Sequence, residues 1–312
     1  MQTTSEGGGM SLELRRRLMA TKFDPIIIDA RDGNESNVEL MRIISENDWS
    51  KNALYMRKSE AEKVTDIGSY FYNNKKITNF DALEFFNLKK ISSSAFYGCS
   101  SLQSIRIPNT ITLLDTYTFY GCNSLVTITL PDTMTSIGAA CFHSCTSLQL
   151  SKLPSSLKTI GKNAFYSCKK MLISQLPSGL VSMGESAFYG CSSITFPSIP
   201  IGITILETNI FRACSNIQSI TLPSGLTSIA SGVFYDCSNL QLTILPSSLT
   251  SIGATAFYNC KSLQTIRIEN TTSKIPSAYD MFPKTVTIEV PSVLLAEYQA
   301  DSKWSSYKLI GY

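Results

Sequence analysis

The 312-residue chain is long enough for two globular domains or one elongated array, and its formal charge of +3, with 16% charged residues, creates no field that would select nucleic acid or another polyanion. No stretch approaches the ~20 consecutive apolar residues of a membrane span. The basic run Arg15, Arg16 and Arg17 lacks the apolar segment that a Sec signal needs after it, so no ordinary export signal is expected.

Taken in order, residues 1–10 (MQTTSEGGGM) are Gly-rich and polar and are expected to be flexible; Gly7, Gly8 and Gly9 lack the strand and helix that a phosphate-binding loop needs. SLELRRRLMA is compatible with a short amphipathic helix whose arginines lie on a solvated or interface side rather than on lipid or DNA. FDPIIID reads as a small strand ending in the turn Asp32-Gly33. Apolar Val38, Leu40, Met41 and Ile44 recur at helical spacing and predict a helix over Ser36 to Asn47, with a shorter one over Lys58 to Lys63. Residues 11–63 thus form a helical N-terminal cap or a docking region.

Eight cysteines then follow at a fixed spacing of 23 residues, from Cys99 to Cys260, each preceded by three with a phenylalanine, from Phe96 to Phe257. A constant period of this length marks a solenoid, in which each repeat is one turn of a coil stacked on the next. With cysteine as zero, leucine or an equivalent stands at +3, an apolar residue at +8, proline usually at +9 and apolar residues at +12 and +15. The +3 to +8 stretch predicts a short strand ended by proline, +12 to +15 a second, shorter one, and AFYGC a helical or 3₁₀ turn carrying Phe inward. Ile105, Ile128, Ile220 and Ile266 fill +6, whereas the other four repeats fill +5 with Leu150, Ile173, Phe196 and Leu242, which predicts a one-residue bulge there. Residues 64–90 are a degenerate first repeat, two residues out of phase. From about Ser273 the period stops. KTVTIEV predicts a strand, and Pro291 opens a helix to about Ala300 with Val293, Leu294 and Tyr298 inward. Trp304, Tyr307, Leu309 and Ile310 are expected to close the last turn, so residues 276–312 are a C-terminal cap.

Side chains in register lie about 4.8 Å apart and side by side, so the cysteines are expected to be buried free thiols acting as small hydrophobes rather than disulfides. Cys141 occupies the slot held elsewhere by Ala95, Ala164, Ala187 and Ala256. With no CxxC pair and His143 the only histidine, the residues supply neither a zinc site nor a hydrolytic triad. No cofactor is implied, and an enzyme is not expected.

The repeat CSSLQSIRIPNTITLLDTYTFYGC and its later copies resemble the BspA-like leucine-rich repeat family, with the pattern CxxLxxIxLPxxLxxIGxxAFxxC, over about residues 64–275. The tail KTVTIEVPSVLLAEYQADSKWSSY is similar to a common ending of these proteins. The resemblance implies an α/β leucine-rich-repeat solenoid, a right-handed coil of short parallel strands and 3₁₀ or helical turns, serving adhesion or recognition at bacterial surfaces. Some family members carry a calcium loop before the first repeat; here Lys51, Ala53 and Tyr55 stand where oxygen ligands are needed, and only Glu60 remains. GGGMSLELRRRLMA is also similar to openings of phage and prophage structural proteins. That leaves an alternative: a virion or tail component docked through its first ~60 residues.

Two columns are candidate ligand-binding surfaces. Tyr97, Tyr120, Tyr166, Tyr189, Tyr235 and Tyr258, with His143 and Arg212 in the same register, form either a stripe that grips glycans or protein loops or a structural ladder of self-covering rings; the ladder is preferred. Outward positions +4 and +7 include Gln103, Arg106, Gln149, Lys152, Gln218, Gln241, Gln264 and Arg267. Between Cys99 and Cys260 only seven basic and five acidic residues occur, so such a surface works by short-range polar contacts. The partner expected is a protein or glycan receptor, without nucleic acid or membrane insertion.

Overall fold

The computed structural model describes residues 24–196 and 198–312. The expectations for residues 1–20, including the arginine run, lie outside the described residues.

The coil begins behind a small cap. Strand Ile26–Asp29 pairs antiparallel with Tyr55–Arg57, and helix Glu35–Glu46 runs between them, with the Asn34 side chain accepting from the Asn37 N–H at its start. Leu40, Met41, Ile43 and Ile44 are buried beneath it, but Val38 is 48% exposed, contrary to expectation. The inward face instead takes Glu39, whose carboxylate meets Arg42 at 2.9 Å and Asn74 Nδ2 at 2.8 Å. The short helix is Lys58–Ala61.

Beyond Val64 the interior is a set of stacked columns. Ten phenylalanine rings, Phe71 to Phe282, follow one another at 5.0–5.8 Å between centroids. Leucine, isoleucine and methionine at +3, +12 and +15 are buried alongside them. The second strand is the shorter of the two, as expected, and also the more regular. The +14/+15 pairs make the more regular parallel ladder, from Leu113–Leu114 through Ser182–Met183 and again from Ile205–Leu206 to Ser251–Ile252. The first-strand ladder holds through Thr127–Thr129, lapses to a single bridge between Ser198 and Thr221, and resumes at Ile244–Leu245. Its gap covers the turns of Cys145, Cys168, Cys191 and Cys214; +5 replaces +6 in the first three, whereas Ile220 fills +6 in the last. Leu150, Ile173 and Phe196 remain buried there, so the inward side chain is kept while the regular ladder thins to single bonds such as Leu172 N–H to the Leu150 carbonyl at 2.9 Å.

The AFYGC segment is neither helical nor 3₁₀. Its residues at −5 and −1 have positive φ in every cysteine turn, for example Ser94 and Gly98, Asn163 and Ser167, Thr255 and Asn259. Left-handed residues at both ends turn alternate amides along the coil axis, where a 3₁₀ turn would point them back along the chain. The N–H groups of Asn163, Phe165 and Ser167 therefore donate to the carbonyls of Glu185, Ala187 and Tyr189 in the next turn, at 2.7–2.9 Å. The same set of three recurs from Ser94 to Asp236. This corner carries the unbroken hydrogen-bonded column.

It also explains the cysteines. From Phe96 to Phe234, each Phe carbonyl at −3 accepts the N–H of its own cysteine and, from the following turn, the thiol of the next one: Cys122 on Phe96 at 3.1 Å, Cys191 on Phe165 at 3.0 Å, Cys260 on Phe234 at 3.0 Å. The thiols are free and buried, as expected, but they are donors and not merely small hydrophobes. Burial pushes the Cys260 thiol up to about 12 and raises the interior Cys145 and Cys191 well above the ordinary thiol range, so these groups stay protonated.

At the far end, strand Thr287–Val290 is followed by a 3₁₀ turn Ser292–Leu294 and helix Leu295–Ala300, and strand Lys308–Gly311 adds to the first-strand sheet. Leu294, Tyr298, Trp304 and Tyr307 close the core. Val293, 79% exposed, points outward, because the first turn after Pro291 is 3₁₀ and shifts the inward face by one residue; Ile310 is exposed because it alternates with the partly buried Leu309 along the last strand. Among the described residues no helix is long and apolar enough to cross a membrane.

Candidate binding surfaces

The tyrosine column is a continuous stack. Tyr97 lies 4.8 Å from Tyr120, Tyr120 and Tyr166 each 4.6 Å from His143, Tyr166 4.5 Å from Tyr189, and Tyr235 4.9 Å from Tyr258. The Arg212 guanidinium fills the one remaining gap, 4.0 Å from the Tyr235 ring and 5.7 Å from Tyr189. The stack starts one ring earlier than the sequence suggests, at Tyr72, 5.1 Å from Tyr97. The shift of phase in the degenerate repeat hides it, although Phe71 beside it carries the same offset.

With interplanar angles of 3–28°, the ring faces inside the stack are occupied by one another. A sugar that stacks on an aromatic needs a free face. Inside the column, from Tyr97 to Tyr235, only ring edges and hydroxyls remain, the geometry of a structural ladder along the corner; Tyr258 ends it with a ring on one face only and is 41% exposed.

His143 is held in this ladder with Ser144 Oγ 3.0 Å from its Nδ1. Burial between rings lowers its pKa from the ordinary 6.5. Between the folded value and 6.5 the unfolded chain binds a proton that the folded chain does not, so stability should rise with pH across that window and level off above it. As His143 is the only histidine in the chain, its NMR titration reads this directly; a midpoint at or above 6.5 would contradict the desolvated position.

The +4/+7 residues are on the first-strand face. Arg106, Lys152 and Arg267 have intramolecular acidic partners: Glu84 at 3.4 Å, Asp132 at 3.5 Å and Glu289 at 2.8 Å. Arg267 also lies 4.4 Å over the Tyr312 ring. The glutamines differ. Gln103, Gln149, Gln218, Gln241 and Gln264 are exposed, and among the described residues none of their side-chain amides makes a hydrogen bond within the chain. A groove of about 270 Å³ lies between Gln241 and Gln264, and another of about 390 Å³ runs past Lys152 and Gln175, where the first-strand ladder lapses.

In the cap, the Glu60 carboxylate accepts from the backbone N–H groups of Lys51 at 3.0 Å and Arg57 at 2.9 Å and from Ser50 Oγ at 3.2 Å. Its lone pairs fasten the loop, and no group of three or more metal-ligating side chains occurs among the described residues.

The family model described as BspA type leucine rich repeat region matches in six copies, over residues 65–195 and 160–289. No curated protein matches the chain. Among solved structures, a leucine-rich repeat protein of Bacteroides ovatus is 25% identical with a TM-score of 0.58, covering 72% of this chain and 65% of its own. The chain thus spans just under two thirds of that relative. The T. pallidum leucine-rich repeat protein is 28% identical (TM-score 0.41, 57% of this chain, 72% of its own), and a leucine-rich cell surface protein of Faecalibacterium prausnitzii is 23% identical (0.44, 84% and 85%).

Proposed function

The chain belongs to the BspA-type leucine-rich repeat family, and from that premise we propose that it is a non-enzymatic adhesion protein that binds a protein on a cell surface through its first-strand face. The glutamine column carries this reading. Five side chains at one repeat position are exposed and free of internal partners among the described residues, whereas the charged residues of the same face are tied to one another and the tyrosine faces are consumed by stacking. An amide both donates and accepts, so rigidly spaced amides, three of them in the consecutive turns of Gln218, Gln241 and Gln264, suit the polar groups of a polypeptide surface without electrostatic steering. Each contact is weak, and affinity comes from many engaged at once. The phage-tail alternative has only the resemblance at the N-terminus behind it.

Replacing Gln149, Gln218, Gln241 and Gln264 together by alanine should weaken attachment of the purified chain to its target cells at least about tenfold, and any one of them about two- to threefold. Protease treatment of the target should abolish attachment and glycosidase treatment should not. Full attachment by the fourfold variant, or loss on glycosidase treatment alone, would overturn the reading.

A further inference from the structure

The repeats provide eight copies of the same structural position, so a residue that departs from its column on the surface is not explained by the coil. One corner collects such departures. At +10 the residues are Asn109, Asp132, Ser155, Ser178, Ser224, Ser247 and Asn270, but Ile201 in the turn of Cys191. Val181 stands at +13, a position held by threonine in five other turns, and Ile205 at +14, where four turns have serine and one threonine. Ile201 is 76% exposed, Val181 55% and Ile205 47%. Ile201 and Ile205 belong to one turn and Val181 to the turn below, where a Cβ at Gly202, next to Ile201, would lie 3.1 Å from Val181 Cγ1. The +14/+15 ladder opens between the same two turns, where Ser182–Met183 and Ile205–Leu206 do not pair. Leu113, the other exposed apolar residue at +14, is four turns away and isolated.

Three aliphatic side chains of this exposure form the apolar centre of an interface, and the surrounding threonines and serines its polar rim. The charges on either side identify the occupant. Lys158 lies directly below Val181 in the +13 column, and Glu207 stands at +16 above, where the three preceding turns have glycine. Neither has an opposite charge within 4.0 Å among the described residues, whereas Lys152 and Lys162 nearby are paired with Asp132 and Glu185. A patch with a free cation at one end and a free anion at the other is complementary to itself when turned through a two-fold axis.

We infer that this corner is the interface of a homodimer, in which two coils cross antiparallel with Val181, Ile201 and Ile205 against their counterparts and Lys158 of each copy facing Glu207 of the other. The surface is independent of the glutamine face and leaves it open, so a dimer presents two such faces.

Light scattering and sedimentation on the full chain from about 1 to 200 µM tests this, the range in which a small interface equilibrates. The 34.3 kDa chain should approach twice that mass as concentration rises. Ile201→Ser with Ile205→Ser restores the residues of the other turns, keeps the fold by circular dichroism, and should weaken association at least about tenfold. Lys158→Glu alone should weaken it, and Lys158→Glu with Glu207→Lys should recover it. A chain monomeric throughout the range, association untouched by the serine pair, or no recovery in the charge swap would each overturn the inference. Attachment through the glutamine column can fail while the dimer stands, and the reverse.

Discussion

Replacing Phe188 by alanine should lower the unfolding free energy by about 3–5 kcal/mol, the range for deleting a fully buried aromatic side chain. Phe188 has no exposed surface, stacks 5.4 Å from Phe165 and 5.8 Å from Phe211, and meets Phe196 edge-on at 6.3 Å. Its loss removes contacts on both sides, so the cost includes two stacked pairs at about 0.5–1.5 kcal/mol each within that total. The position is also inside the unbroken corner: the Phe188 N–H donates to the Ile210 carbonyl, and its own carbonyl takes the Cys214 thiol at 3.1 Å. The column cannot collapse inward, because the turns are held apart by these bonds. Denaturant unfolding measures the total, and amide exchange should show the turns of Cys168 and Cys191 loosening before either cap. A loss below about 1 kcal/mol would be incompatible with a stacked interior.

Trp304→Ala should be comparably damaging, at about 3–5 kcal/mol, but from the end of the coil rather than its middle. Trp304 is the largest fully buried side chain and covers the last ring of the phenylalanine stack, 6.0 Å from Phe282 and 4.9 Å edge-on to Tyr298. Its Nε1 donates to the Ile275 carbonyl at 2.9 Å, and the Ile275 N–H is bound to the Tyr298 hydroxyl at 3.0 Å. Without the indole the final turn is open to water. In an array whose turns contact only their neighbours, unfolding then starts at that end. Trp304→Phe separates the parts: it keeps most of the packing and leaves the Ile275 carbonyl without its donor, costing about 1–3 kcal/mol. Exchange faster first in residues 275–312 is the expected signature, and uniform loosening of the whole coil would contradict it.

Much of the architecture was legible in the residues. The 23-residue spacing puts Phe96 through Phe257 in one inner column and Cys99 through Cys260 in another, and both are buried as expected. The columns can be read because stacking repeats every turn, so a buried position is apolar in each copy. The tyrosine column can be read as a column but not as a stack, since centroid separations of 4.5–4.9 Å depend on ring rotation. A helical count misplaces Val38 and Val293, because it assumes a regular helix packed on its most apolar side; one helix has Glu39 inside instead, and the other starts as 3₁₀.

What the chain alone determined was the period, and with it which side chains go inward, because burial is imposed once per turn and is written in each copy. What only the tertiary structure decided was where the polar groups go. The direction of an amide depends on the sign of φ at Ser94, Asn163 or Ser167, and its acceptor is supplied by the neighbouring turn. The thiol bond to the Phe carbonyl, the consumption of the tyrosine faces and the gathering of Val181, Ile201 and Ile205 are all relations between turns. They exist only once one turn lies on another.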